Sequence, residues 1–152
     1  MRPRVKFSGI IISHLGNIDG RLPDKENRLS YLKAALKAGW HVCADVVFYN
    51  SGFLLPYQNG FDPAPMSFFS QSRVWSRCHD AETLDALCNI KAHAFFTSDS
   101  GHTLTSEQFV WTLPPDPLVG RAIAAFPELT DPDWLEKYEP AGLCSNTPIQ
   151  YV

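Results

Sequence analysis

Residues 41–49 read His41-Val42-Cys43-Ala44-Asp45-Val46-Val47-Phe48-Tyr49. Val42, Ala44 and Val46 fall on one face, and Cys43, Asp45 and Val47 on the other. That period of two, in β-branched and aromatic residues, predicts a strand. Upstream, Leu29, Leu32, Ala35 and Leu36 recur at helical spacing. They predict a helix over 25–37, with Asp24 as its N-cap and Gly39 as its stop. Before the helix, residues 6–14 predict another strand, with Ile10, Ile12 and His14 on one face. Strand, helix, strand in that order predicts a parallel sheet with right-handed crossovers.

Working outward, 50–52 is a turn and 53–57 a short returning strand. Residues 58–71 read as a loop rich in Pro, Gly and Phe. Further strands are expected over 73–79, 92–97, 108–113, 121–126 and 143–145. A short helix is expected over 81–89, capped by Asp80 with Leu84 and Leu87 inward, and a helical turn or two over 131–138. The later connections are too short for full helices. The pattern therefore predicts an α/β fold of one domain, 1–152, as an abbreviated (β/α) barrel of the TIM type. It would have about seven strands, with several helices shortened or missing.

Composition narrows the function. The chain has 152 residues, of which 45% are hydrophobic and 19% charged, so it can fill one core and is not a disordered, charge-solvated chain. A net charge of -3 argues against nucleic acid held through phosphate contacts. No apolar run reaches the roughly 20 residues of a membrane helix, and the basic start Met1-Arg2-Pro3-Arg4 lacks a signal peptide's apolar stretch. A cytoplasmic protein is the expectation. Cys43, Cys78, Cys88 and Cys144 are irregularly spaced, which reads as buried free thiols rather than a disulfide framework. An incomplete outer layer of helices would leave apolar surface that a second copy could cover.

In such a barrel the chemistry sits at the C-terminal ends of the strands. The residues there are His14 with Gly16 and Asn17, then Glu26 and Asn27, Cys43 and Asp45, Tyr57, Arg77 and His79, Thr97 and Asp99. Arg77 needs a partner if it points inward, and Asp45 is the evident one. In the 61–69 stretch, Phe61, Met66, Phe68 and Phe69 offer an apolar face for a protein or lipid partner, or a plug for one end of the barrel.

Ile12-Ser13-His14-Leu15-Gly16-Asn17, Glu26-Asn27 and Ala44-Asp45-Val46 resemble the glycerophosphodiester phosphodiesterase family, closest to its small bacterial and phage-type members. Residues 75–87, Thr103-Leu104-Thr105-Ser106, Val110-Trp111-Thr112 and Phe126-Pro127-Glu128 are similar too, so the resemblance spans roughly 9–146. It implies a TIM-type barrel that cleaves a small phosphodiester with magnesium or calcium and two histidines. His14 matches the first histidine, Asn17 the asparagine after it, and Glu26 and Asp45 match metal ligands. The departures fall together. Leu15 stands where the family has a phosphate-binding arginine, and Cys43 where it has a metal carboxylate. Tyr57 falls where the second histidine is expected, His79 where a lysine is, and Thr97 where a later inward histidine is.

Three readings follow. In the first, a divergent hydrolase uses His14, with Tyr57 or His79 as acid, Glu26 and Asp45 on the metal, and Asn17 and Arg77 on the substrate. In the second, which the joint losses favour, a pseudoenzyme keeps the barrel to bind a ligand or partner. In the third, Cys43 and His79, with Asp45, Glu26 and His14 near, rebuild the site for zinc.

Overall fold

The computed structural model describes residues 6–97 and 101–152. Asp99 and Met1-Arg2-Pro3-Arg4 lie outside the described residues. Eight strands form one sheet: β1 (Ile10–His14), β2 (His41–Asp45), β6 (Val74–Cys78), β7 (His93–Phe96), β8 (His102–Leu104), β9 (Val110–Thr112), β10 (Ala122–Ala125) and β11 (Gly142–Ser145). Their spatial order is β7-β6-β2-β1-β11-β10-β9-β8, and every pairing is parallel except β8 with β9. The two edges of this sheet approach each other, so it is a nearly closed barrel-like sheet. Where they meet, the Ser106 amide donates to the Ala94 carbonyl at 2.8 Å.

A three-stranded meander, β3 (Val47–Tyr49), β4 (Gly52–Tyr57) and β5 (Gly60–Ala64), leaves the barrel after β2. Helices are few and short: α1 (Leu29–Lys37), α2 (Met66–Phe69), α3 (Ala81–Asn89) and α4 (Asp133–Tyr138). None of the helices among the described residues is long and apolar enough to cross a membrane.

The alternation in 41–49 sorts the chain into two cores. Val42, Ala44 and Val46 face outward, where Leu32 and Leu36 of α1, Phe53 and Leu55 of β4, and Phe68 and Phe69 of α2 cover them. Cys43 faces inward and joins Ile12, Trp75, Phe95, Trp111, Ile123 and Cys144 inside the barrel. A third cluster, with Trp134, Leu135 and Tyr151, covers the outer faces of β10 and β11.

Several elements differ from the pattern reading. The strand over 41–49 is two strands, because Val46 ends the barrel register and the chain turns into the meander. Helix α1 begins at Leu29 rather than at residue 25, because Asn27 is left-handed, at φ +63°. Asp24 is therefore not the cap; the Leu29 amide donates to the Asp62 carboxylate of β5 at 3.0 Å. Residues 58–71 are not one loop but β5 and α2. Pro63 is tolerated in β5 because that strand is an edge, where a missing N–H costs nothing in the ladder. Phe68 and Phe69 do not plug the barrel; they cover its outer wall, while Phe61 and Met66 stay exposed. Strand β8 has no counterpart in the pattern, being three residues long and largely exposed. Cys88 is exposed and the other three cysteines are buried, so the expectation of four buried thiols fails at α3.

Candidate functional site

The C-terminal ends of β1, β2 and β6 form a mouth. His14 ends β1 and is buried, with its ring edge-on to Phe126 at 4.7 Å. Its Nδ1 is buried and has no hydrogen-bond partner. After it, the chain must turn sharply: Leu15 and Gly16 both take positive φ. Gly16 tolerates no side chain, because a Cβ there would come within 2.7 Å of the Tyr31 ring.

Asp45 ends β2 and Arg77 lies opposite it on β6. The guanidinium donates to both carboxylate oxygens, at 2.6 and 3.1 Å. Both side chains are more than four-fifths buried. This is the partner the sequence named for Arg77. Burial alone would raise the Asp45 pKa. The nearby His79 imidazole and the two-point hydrogen bond from Arg77, with the Arg77 charge, outweigh it and hold the carboxylate well below its usual range. Burial likewise works against the Arg77 charge, and Asp45 outweighs it, so the guanidinium pKa is raised. His79 is half-exposed and 3.9 Å from Asp45, and that close carboxylate raises the imidazole pKa.

Glu26 is held in the same manner. Arg21 Nε donates to its Oε1 at 2.8 Å and Nη2 to its Oε2 at 3.2 Å. The Arg21 hydrogen bond, against burial and with help from Asn17, lowers the Glu26 pKa. Asn17 has nothing left to offer a substrate. Its amide nitrogen donates to Glu26 and Asn146, and its oxygen accepts from the Leu22 amide and the Tyr31 hydroxyl. Asn27 is a clamp: it pairs with both backbone groups of Asp45 and with the Pro56 carbonyl, tying β2 to β4.

A groove of about 430 Å³ opens beside these pairs, lined by Arg21, Glu26, Asp45 and Tyr57 among others. The Tyr57 ring lies under the Arg28 guanidinium, 4.5 Å from it.

Just inside the mouth lies a second cluster. An imidazole nitrogen of His14 and the Sγ atoms of Cys43 and Cys144 all lie within 4.8 Å of one another, and all three residues are buried. These three could hold a metal ion. A hydrogen bond from Cys144 leads the effects that lower the Cys43 thiol pKa; burial opposes it, and His14 and Arg77 assist. Burial and the Cys43 charge push the Cys144 thiol up.

The chain was compared with family models, curated proteins and solved structures, and it matches none of them.

The candidate residues thus separate into three groups. Asp45, Arg77 and His79 come together. Glu26 and Asn17 come together around Arg21. Cys43 joins His14 and Cys144 instead of the Asp45 and His79 with which the sequence grouped it. Cys144, Arg21 and Glu128 are the residues that sequence reasoning missed. Cys144 carried a signal: it sits between Leu143 and Ser145 in a strand, so it faces opposite to its apolar neighbour. The pairing of Ile12 with Cys144, across more than a hundred residues, is what aims it at His14. Arg21 lies in an irregular loop and gave none. Glu128 accepts from the Asn146 amide through Oε1, while its Oε2 is buried and unpartnered.

Proposed function

We propose that the protein is a glycerophosphodiester phosphodiesterase-like barrel of the TIM type that binds at its mouth without the family's magnesium- or calcium-assisted hydrolysis. The supporting observation is the two-point Arg77–Asp45 pair. A hard cation needs six or more oxygen ligands, and carboxylates supply the charged ones. All four carboxylate oxygens of Glu26 and Asp45 already accept from guanidinium groups. Arg21 is largely exposed and could swing away at little cost. Arg77 could not. A metal on Asp45 would set a second, divalent positive charge against a guanidinium that is already buried and paired there. The residues present therefore do not fit magnesium or calcium. Arginine takes the place of the metal beside both carboxylates, and the groove beside Tyr57 is the natural place for a small polar ligand.

The test is hydrolysis of bis(p-nitrophenyl) phosphate and of a glycerophosphodiester with magnesium, calcium or manganese. Turnover is expected to equal that of the metal alone. Turnover above that level, abolished in His14→Ala, would overturn the reading and restore a hydrolase that works through His14.

A further inference from the structure

We propose that His14, Cys43 and Cys144 form a buried site for a thiophilic divalent cation, zinc, in the wall of the barrel. The inference does not depend on the function proposed above, since none of its ligands is in the Glu26 or Asp45 pairs.

Three adjacent strands contribute one ligand each: Cys144 from β11, His14 from β1 and Cys43 from β2. The register sets Cys43 opposite His14 and Cys144 opposite Ile12, so all three side chains enter the barrel at neighbouring levels. The donor set is one imidazole and two thiols, which suits zinc and excludes magnesium or calcium. Donor atoms within 4.8 Å of one another need to close by about 1 Å to reach tetrahedral spacing around zinc, for which Zn–S is about 2.3 Å. Side-chain rotation covers that distance without moving a strand. A fourth position would remain for water or another ligand.

Two further observations favour a metal over other uses of the trio. The His14 Nδ1 is buried with no hydrogen-bond partner, so the imidazole keeps a ring nitrogen that no protein group uses. Nor is a disulfide an easy alternative. Cys43 and Cys144 flank β1 on either side, so their backbones lie two strand spacings apart, roughly 9.5 Å. A disulfide spans Cα atoms at most about 7 Å apart. The sulfurs converge while the backbones cannot, and an ion between them bridges that gap. The charge also balances: two thiolates and a neutral imidazole make a zinc site of zero net charge, which a buried wall can carry at least desolvation cost.

The test uses the full chain, stripped with chelator and titrated with cobalt(II) and then zinc. One equivalent of cobalt is expected to give a thiolate-to-cobalt charge-transfer band with tetrahedral visible bands, all displaced by zinc. Cys43→Ser and Cys144→Ser should each weaken zinc binding at least about 100-fold, beyond what outer-shell changes cost. Cys88→Ser, on the exposed face of α3, should leave it unchanged. Because buried serines could compromise folding, X-ray absorption on the unmutated zinc-loaded protein gives an independent reading: two sulfur scatterers and at least one nitrogen. The inference is overturned by the absence of a charge-transfer band, by a band that survives both cysteine substitutions, or by a zinc shell of nitrogen and oxygen only. Phosphodiester turnover is read separately, so each reading can fail without the other.

Discussion

His93 shows how far one residue's surroundings can diverge from its composition-level meaning. It sits on β7 inside the barrel, tilted against Trp75 with ring centroids 3.9 Å apart, and its Nε2 is 2.7 Å from the Thr105 hydroxyl. Its Nδ1 lies 3.4 Å from the Glu107 carboxylate, and beyond Trp75 lies His41, whose Nδ1 accepts from the Trp75 indole N–H. Burial, then the charge of His41, pushes the His93 pKa down to about 4. In the unfolded chain a histidine titrates near 6.5, so on acidification the unfolded state takes up its proton first. The stability tied to neutral His93 is therefore whole above about pH 6.5 and is lost as pH falls toward 4. The loss is on the order of 3 kcal/mol. His79 acts in the opposite sense, because Asp45 raises its pKa and its contribution is lost as pH rises. The comparison must therefore be between the parent and His93→Gln. Urea unfolding at pH 7 and pH 4.5 should show a larger fall in the parent than in the variant, whose remaining fall includes that of His41, also held down by burial, and equal falls in both would refute the assignment.

At the scale of elements, local signals were readable where they were short-range. Asp80 caps α3 as its sequence says, accepting from the Thr83 amide at 2.8 Å. The two faces of β2, the inward line of His14, and the pairing of Asp45 with Arg77 were legible because a period of two assigns faces unambiguously. What was not legible came from partners distant in sequence. Helix α1 has no cap of its own; β5 supplies one through Asp62, which also lies 3.5 Å from the Arg28 guanidinium. Asp62 sits in a stretch whose proline and glycine content reads as loop, so neither the strand nor its role could be inferred from the local pattern. Asp62→Ala should cost about 1 kcal/mol, the usual worth of a helix cap. Asp62→Asn, which keeps an acceptor oxygen, should recover most of it. Denaturant midpoints decide, and equal stability for the alanine and asparagine variants would show that the cap contributes nothing.

For the molecule as a whole, the open question is how a sheet with two edges behaves as a barrel. The edges are β7 and β8, and among the described residues no strand pairing joins them. The join is made by the turn between β8 and β9. Ser106 Oγ donates to the Ala92 carbonyl at 3.2 Å and accepts from the Ala94 amide at 2.8 Å, and its own amide donates to the Ala94 carbonyl. Beside it, Thr105 holds His93. Across this seam, inside the barrel, Phe95 stacks on Trp111 at 4.5 Å. A single hydroxyl thus substitutes for two positions of a ladder, and no periodicity could announce it. Ser106→Ala removes that hydroxyl and leaves the Ala94 amide without an acceptor, at a cost of roughly 1–3 kcal/mol. Because only the seam opens, the effect should be local before it is global. Amide hydrogen exchange should show Ala94 and its β7 neighbours losing protection by more than the change in overall stability accounts for, while β1 and β11 keep theirs. Uniform loss across all strands would mean that closure is shared by the whole barrel and that the seam is not its weak point.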